Sequence, residues 1–201
     1  MILYGASGHA KVIIDIINAG NQGSIDFLID DDRSIVQLLD YKVQHIWTEE
    51  MASHKAVIAI GNNLIRKKVS HKVLNPFCEA IIHPSAVISE EVILGKGTVV
   101  MANAVINAST SVGSHGIINT GAIVEHDATI GDYVHISPSA TITGNVSIGE
   151  GSHIGAGATV IPGIKIGKWT TIGAGAVIIN DIPDFSVVVG NPGKVIKFNK
   201  I

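Results

Sequence analysis

The chain has a single cysteine, Cys78, in 201 residues. No internal disulfide can form, which excludes the small disulfide-stapled folds and points to a reducing compartment. Aromatic side chains are only 4% of the residues, while Ile, Val, Ala and Gly are plentiful, so the core must be aliphatic. That balance suits a repetitive β architecture better than a helical bundle. The net charge is −3 and there is no basic run, so the electrostatic footprint of a nucleic-acid-binding protein is missing. No apolar run approaches the ~20 residues of a membrane span. The N-terminus MILYGASG lacks the basic flank and apolar core of a secretion signal. The expectation is a cytoplasmic protein with no membrane insertion and no nucleic acid, in which Cys78 is a packed thiol rather than a reactive one.

In place of these features stands a period of six. Every sixth residue from Ile82 to Ile178 is Ile, Leu or Val, seventeen in succession. If such residues filled about one position in three, chance would produce that run roughly once in 10⁸. Four residues on stands a second class, mostly small, as at Ala86, Thr98, Ala104, Ala122 and Ala140. Glycine often follows the aliphatic position, as at Gly95, Gly113, Gly131 and Gly149. Six matches neither a helix nor a plain alternation, but it fits a short strand and a tight corner, repeated. Hexapeptide repeats of this kind mark a parallel β-helix. The glycines are expected there because glycine tolerates turn dihedrals that other residues resist. Residues 79–182 are read as the solenoid and 183–201 as a C-terminal tail.

Residues 1–78 do not obey that phase. Ile2-Leu3-Tyr4 is a short apolar run leading into Gly5-Ala6-Ser7-Gly8-His9-Ala10, then an amphipathic stretch from Lys11 to Ala19 with Gly20 as its stop. Phe27-Leu28-Ile29 reads as a second strand ending at Asp30-Asp31-Asp32, and Ala56–Ile60 as a buried strand. Gly61-Asn62-Asn63 then opens a basic helix, Leu64 to Leu74. Strands alternating with helices predict a small α/β, Rossmann-like domain with a parallel sheet. The glycine turn puts backbone N–H groups and a helix start where an anion can sit. GASGHA lacks the third glycine of the dinucleotide fingerprint, so a purely structural turn is the alternative. Asp30 and Asp31 suit hydrogen bonds from ribose or base groups, against the blander reading of a solvated turn.

One stretch inside the solenoid, IINTGAIVEHD at residues 117–127, sets Glu125, His126 and Asp127 side by side. With Val124 pointing inward, these three turn outward at or near a corner. An imidazole with a pKa of about 6.5 can take a proton at neutral pH, and an adjacent carboxylate raises that pKa and fixes the ring. An ordinary surface histidine beside ordinary charges gives the same pattern. His135 and His153 are one coil apart and should stack, which raises the rival reading of a zinc enzyme like the β-helical carbonic anhydrases. A zinc site needs three or four converging ligands, and no third is obvious on that face. A non-catalytic scaffold or nucleotide-binding module is a further alternative.

YGASGH at 4–9, IAIGNNLIRKK at 58–68, IINTGAIVEHD, GNVSIGEG at 144–151 and VGNPGK at 189–194 together carry a resemblance. The chain resembles the bacterial sugar O- and N-acetyltransferases that have a small α/β domain before a left-handed β-helix. The nearest groups are the UDP-4-amino-sugar N-acetyltransferases of bacillosamine biosynthesis and the perosamine N-acetyltransferases, with sialic acid O-acetyltransferases as kin. The resemblance runs over essentially the whole chain. It implies a homotrimer with acetyl-CoA between neighbouring solenoids and a UDP-linked amino sugar on the N-terminal domain. It further implies His126 as general base and Asp127 as the acid partner that sets its basicity. Ser7, Gly8, His9, Asp30, Asp31 and Gly61 match residues that hold the nucleotide sugar, and Asn119 one near the reacting sugar. His135 matches a histidine close to the acetyl thioester, Gly144 an oxyanion donor, and Ala156 and Ala174 positions on the acetyl-CoA track. The implied reaction is direct transfer to a sugar 4-amino group with no metal; sialic acid O-acetylation is the alternative. The bacillosamine enzymes carry Glu where this chain has Asp127 and the perosamine enzymes Asp, which leaves the amino sugar open.

Overall fold

A computed structural model describes residues 1–200. The N-terminal domain holds β1 (Ile2–Tyr4), α1 (Gly8–Gly20), β2 (Phe27–Ile29), β3 (Gln37–Leu38), β4 (Tyr41–Gln44), β5 (Ala56–Ile58) and α2 (Asn63–Lys72). The sheet order is β3-β4-β2-β1-β5, parallel throughout except for the β3–β4 hairpin. Helix α1 buries Ala10, Ile13, Ile14, Ile16 and Ile17 on one face. It runs through Gly20, and the residue that stops it is Asn21, left-handed at φ 52°. Gly20 is therefore the last helical residue, and the amide-bearing Asn21 takes the left-handed position. Helix α2 starts at an ordinary cap, the Asn62 side chain accepting from the Ile65 N–H at 3.0 Å.

From Ile81 onward the chain winds as a parallel β-helix of two-residue strands on three faces. The first face stacks Ile81–Ile82, Val99–Val100, Ile117–Ile118, His135–Ile136, His153–Ile154 and Thr171–Ile172. The second runs from Val87–Ile88 to Val177–Ile178, and the third from Ile93–Leu94 to Lys165–Ile166. Strands eighteen residues apart pair in register, as His135 does with His153. The second residue of each strand points inward, and from Val100 to Ile178 all are buried. Burying this aliphatic column at about 25 cal/mol per Å² of apolar surface is what holds the coils together.

The glycines after the aliphatic residue have a different cause from the one expected. None of Gly95, Gly113, Gly131 and Gly149 has a positive φ. A Cβ on Gly95 would lie 2.4 Å from the Ser114 nitrogen of the next coil, and one on Gly149 2.5 Å from that of Lys168. Close packing of successive coils excludes a side chain there. The left-handed residue comes two positions later and recurs every six, at Asn103, Ser109, His115, Asp127, Tyr133, Ser139, Asn145 and Trp169 among others. Asp127 thus occupies a corner position whose dihedrals Asn and Asp tolerate better than most.

Residues 183–201 are not simply a tail. Ser186–Val189 pairs parallel with Thr171–Ile172 and extends the first face, and Lys194–Phe198 returns antiparallel along it. Thr171 pairs with Val187, a step of sixteen residues instead of eighteen, so the coil continues while the six-residue phase is lost. The two domains share a core: Leu3, Ala6, Ala10 and Ile13 pack in one cluster with Ile81, Val99 and Ile117. Cys78 is buried in that cluster, and burial pushes its thiol pKa up.

Candidate functional site

At the carboxyl ends of the parallel strands lie the turn after β1, the acidic run after β2 and the Gly61 turn after β5. Ligands of open α/β sheets bind at such ends. Ser7 caps α1 without a side-chain hydrogen bond, and Ser7 and Gly8 are exposed. A Cβ on Gly8 would meet nothing within 4 Å. The Asp30 carboxylate accepts from the Ala6 N–H at 2.7 Å and the Asp32 N–H at 2.8 Å, so it buttresses the glycine turn. Asp31 accepts from the Tyr4 hydroxyl at 2.7 Å and pairs with Lys72 at 2.8 Å; Lys72 and Tyr4 hold its carboxyl below the usual range.

His9 lies against Gly61, and its Nε2 is buried without a partner. Burial, with the charge of Arg66, lowers its pKa to about 4. Its ring is 6.3 Å from that of His135, which meets His153 edge-on at 4.8 Å. The Asn119 amide lies 3.0 Å from His135 Nε2, and Ser137 Oγ 3.0 Å from His153 Nε2. His135 is 9% exposed; burial and neighbouring His153 lower its pKa to about 3. His9 is the third imidazole on this face that sequence spacing does not reveal. Even so, among the described residues no three His, Cys, Asp or Glu side chains are arranged to hold a metal ion. A cleft of about 640 Å³ opens here, from Gly61 and Asn63 past His135 and His153 to Trp169 and Asn199.

His126 and Asp127 occupy the corner between the second and third faces, across the coil from His135. His126 Nδ1 is 2.7 Å from Asp127 Oδ2, and both side chains are well exposed, at 62% and 59%. A carboxylate acceptor at Nδ1 assigns the proton to that nitrogen and leaves the Nε2 lone pair free. The hydrogen bond to Asp127, with the charges of Asp127 and Glu125, raises the pKa of His126 above its ordinary value. Glu125 is less exposed than expected, because Asn107 donates to it at 2.7 Å. Gly144 stands one coil beyond His126, and a Cβ there would lie 2.8 Å from the imidazole Cε1. Glycine makes the room in which the ring sits. Ala156 and Ala174 are both exposed and stack on the corner between the first and second faces, the corner that also carries Asn119. Within one chain, then, the candidate residues fall into two groups on opposite sides of the solenoid.

Residues 1–73 match the PglD N-terminal domain family, and 145–180 the bacterial transferase hexapeptide family of six repeats. A perosamine N-acetyltransferase from Caulobacter crescentus, solved as a histidine-to-asparagine variant in complex with CoA and GDP-perosamine, is 36% identical. It superposes with a TM-score of 0.88 over 96% of this chain and 95% of its own. The chain belongs to the hexapeptide-repeat amino-sugar acetyltransferase family. The acetyltransferase domain of PglB from Neisseria gonorrhoeae FA1090, solved in complex with acetyl coenzyme A, is 37% identical with a TM-score of 0.87 over 97% of this chain and 98% of its own. UDP-N-acetylbacillosamine N-acetyltransferase of Bacillus subtilis (strain 168) aligns over 116 residues at 40% identity, which spans 50% of this chain and 50% of that relative. The residue that motif reading passes over in this family member is Arg66, which the linear sequence presents as one more cation on a basic helix.

Proposed function

We propose that the protein transfers the acetyl group of acetyl-CoA directly to the 4-amino group of a nucleotide-linked amino-deoxy sugar. The observation that carries this reading is the His126–Asp127 pair, 2.7 Å apart and seated over Gly144, in a family of this fold. His126 Nε2 takes a proton from the attacking nitrogen while the nitrogen adds to the thioester carbonyl. Asp127 steadies the imidazolium, and the Gly144 N–H is the candidate donor to the tetrahedral oxyanion. The carbon–sulfur bond then breaks, and the CoA thiolate leaves with the proton that His126 took from the sugar nitrogen. Among the described residues His126 makes its one side-chain hydrogen bond to Asp127 and none to a cysteine or serine, so no acetyl-enzyme is called for.

The acceptor sits on the α1 N-terminus, among Ser7, Gly8, His9 and Gly61, with its sugar toward Asn119. Asp30 and Asp31 flank the nucleoside end. Acetyl-CoA runs along Ala156 and Ala174, with His135 beside the thioester. Because His126 faces away from this cleft in its own chain, a neighbouring copy supplies it, and a homotrimer is the arrangement proposed. The second face supports such contact: its outward ladder of Val87, Val105, Ile123, Thr141, Thr159 and Val177 is uncharged and lies between the two half-sites.

Thiol release from acetyl-CoA, followed with a panel of UDP- and GDP-linked 4-amino sugars and free sialic acid, tests the reading. Turnover is expected with a nucleotide-linked amine, since free sialic acid lacks the diphosphate and nucleoside that the α1 N-terminus and the Asp30–Asp31 pair would hold. Comparable turnover of free sialic acid, or no thiol release with any nucleotide-linked amine, would contradict it.

A further inference from the structure

Arg66 is 1% exposed, the largest side chain in the molecule to be fully buried. All five of its N–H donors are used, and every acceptor is neutral. Nε donates to the His115 carbonyl at 2.8 Å, Nη1 to the carbonyls of Ile60 at 2.9 Å and Gly61 at 3.0 Å, and Nη2 to Asn63 Oδ1 at 2.9 Å and the Tyr133 carbonyl at 2.8 Å. Asn63 in turn donates to the carbonyls of Gly151 and Ser152 at 3.0 and 3.1 Å. One guanidinium fork therefore ties the Gly61 turn of the N-terminal domain to successive corners of the solenoid. No carboxylate pairs with Arg66 among the described residues.

A buried cation without a counter-charge is expensive, and carbonyl dipoles offset only part of the cost. Asp132, next to Tyr133, acts on His115 and accepts from the Ser114 N–H, but it makes no ion pair with Arg66. His9, His115, His135 and His153 all lie close enough for the Arg66 charge to help lower their pKa values, after burial itself. Two of these imidazoles, His135 and His153, line the cleft beside Gly61 and Asn63, and the Arg66 charge stands behind them. A clamp alone would not need to be ionic, but a site awaiting a diphosphate gains from charge held in place before binding.

We propose that Arg66 is a positioning residue for the acceptor half of the reaction: it locks the Gly61 turn onto the solenoid and keeps an uncompensated positive charge behind the cleft that receives the nucleotide diphosphate. This rests on the acetyltransferase reading above. It never touches the acceptor, and acts through Gly61 and the electrostatic potential of the cleft.

The test compares R66M and R66K with the wild type in acetyl transfer to a UDP-linked 4-amino sugar, and in calorimetric titration with UDP and with acetyl-CoA. R66M is expected to weaken UDP and raise the acceptor KM by about tenfold, because the lost charge acts on the diphosphate through space and through the Gly61 turn rather than by contact. The acetyl-CoA Kd and the kcat at saturating acceptor should change little. R66K keeps the charge with three donors for five acceptors, so it should fall between the two. Equal losses toward both substrates, an R66K as impaired as R66M, or failure of both variants to fold would reduce Arg66 to a structural clamp and overturn the inference. A wild type that uses the acceptor while R66M behaves identically defeats only this inference. A wild type that binds acetyl-CoA but neither UDP nor the acceptor defeats the functional reading and this one with it.

Discussion

His126→Ala is expected to lower kcat by about 10²–10⁴, the usual contribution of a positioned general base, with acetyl-CoA binding little changed. The ring is exposed and makes its one side-chain hydrogen bond to Asp127, so its loss should leave the fold intact. The pH profile carries the second half of the expectation. A base acts only when unprotonated, and Asp127 raises the His126 pKa. The acid limb of kcat/KM should therefore lie above the ordinary histidine value of about 6.5, with activity lost as pH falls through it. Asp127→Asn removes the cause of the raised pKa, so the limb should move to lower pH while the maximal rate drops. A limb that stays in place in that variant would belong to the sugar amine instead. An unimpaired His126→Ala enzyme would return His126 to an ordinary surface residue.

Gly8→Val is expected to weaken the nucleotide sugar by about 10²-fold while leaving acetyl-CoA affinity unchanged. Gly8 opens α1, it is exposed, and a Cβ there has open space around it within the chain. The backbone accepts valine without a clash, and any loss must come from what approaches from outside. A branched side chain at a helix start blocks the close approach of phosphate to the first N–H groups. Losing one charge-assisted hydrogen bond near the upper end of the range of about 1.5–3 kcal/mol accounts for an effect of that order. Calorimetry with UDP and with acetyl-CoA measures both halves. Equal loss of both ligands would make the turn purely structural.

The solenoid was legible because its period follows from one physical requirement, an aliphatic residue inside every two-residue strand. Gly95 and Gly149 were legible as glycines of the repeat but not for the right reason, since the crowding they relieve comes from a coil eighteen residues away. The end of the solenoid was hidden by the sixteen-residue step between Thr171 and Val187, which breaks the phase without breaking the sheet. His126 and Asp127 could be picked out as a motif, whereas Gly144 entered only through the family resemblance, and that it sits beside the ring eighteen residues on is read from the structure. The nearness of His9 to His135 was not legible, because nothing local in residues 1–78 says where that domain docks. Arg66 was passed over for a related reason. On a helix with Lys67 and Lys68 beside it, only tertiary structure reveals that this one cation faces inward.

Under the proposed function each site is completed by a second copy, with His126 from one chain and the acceptor cleft from another. His126→Ala and Gly8→Val chains, each strongly impaired alone at acceptor concentrations well below the KM of the Gly8→Val variant, can be unfolded together, refolded as a mixture and assayed for acetyl transfer under those conditions. If the site is shared, an interface that joins the intact His126 of one variant to the intact glycine turn of the other is whole. Random 1:1 mixing in a closed ring then restores about a quarter of the wild-type activity. Recovery near that level is the predicted result. No recovery from a mixture in which light scattering and mass spectrometry confirm hybrid oligomers would place the whole site within one chain and contradict the account.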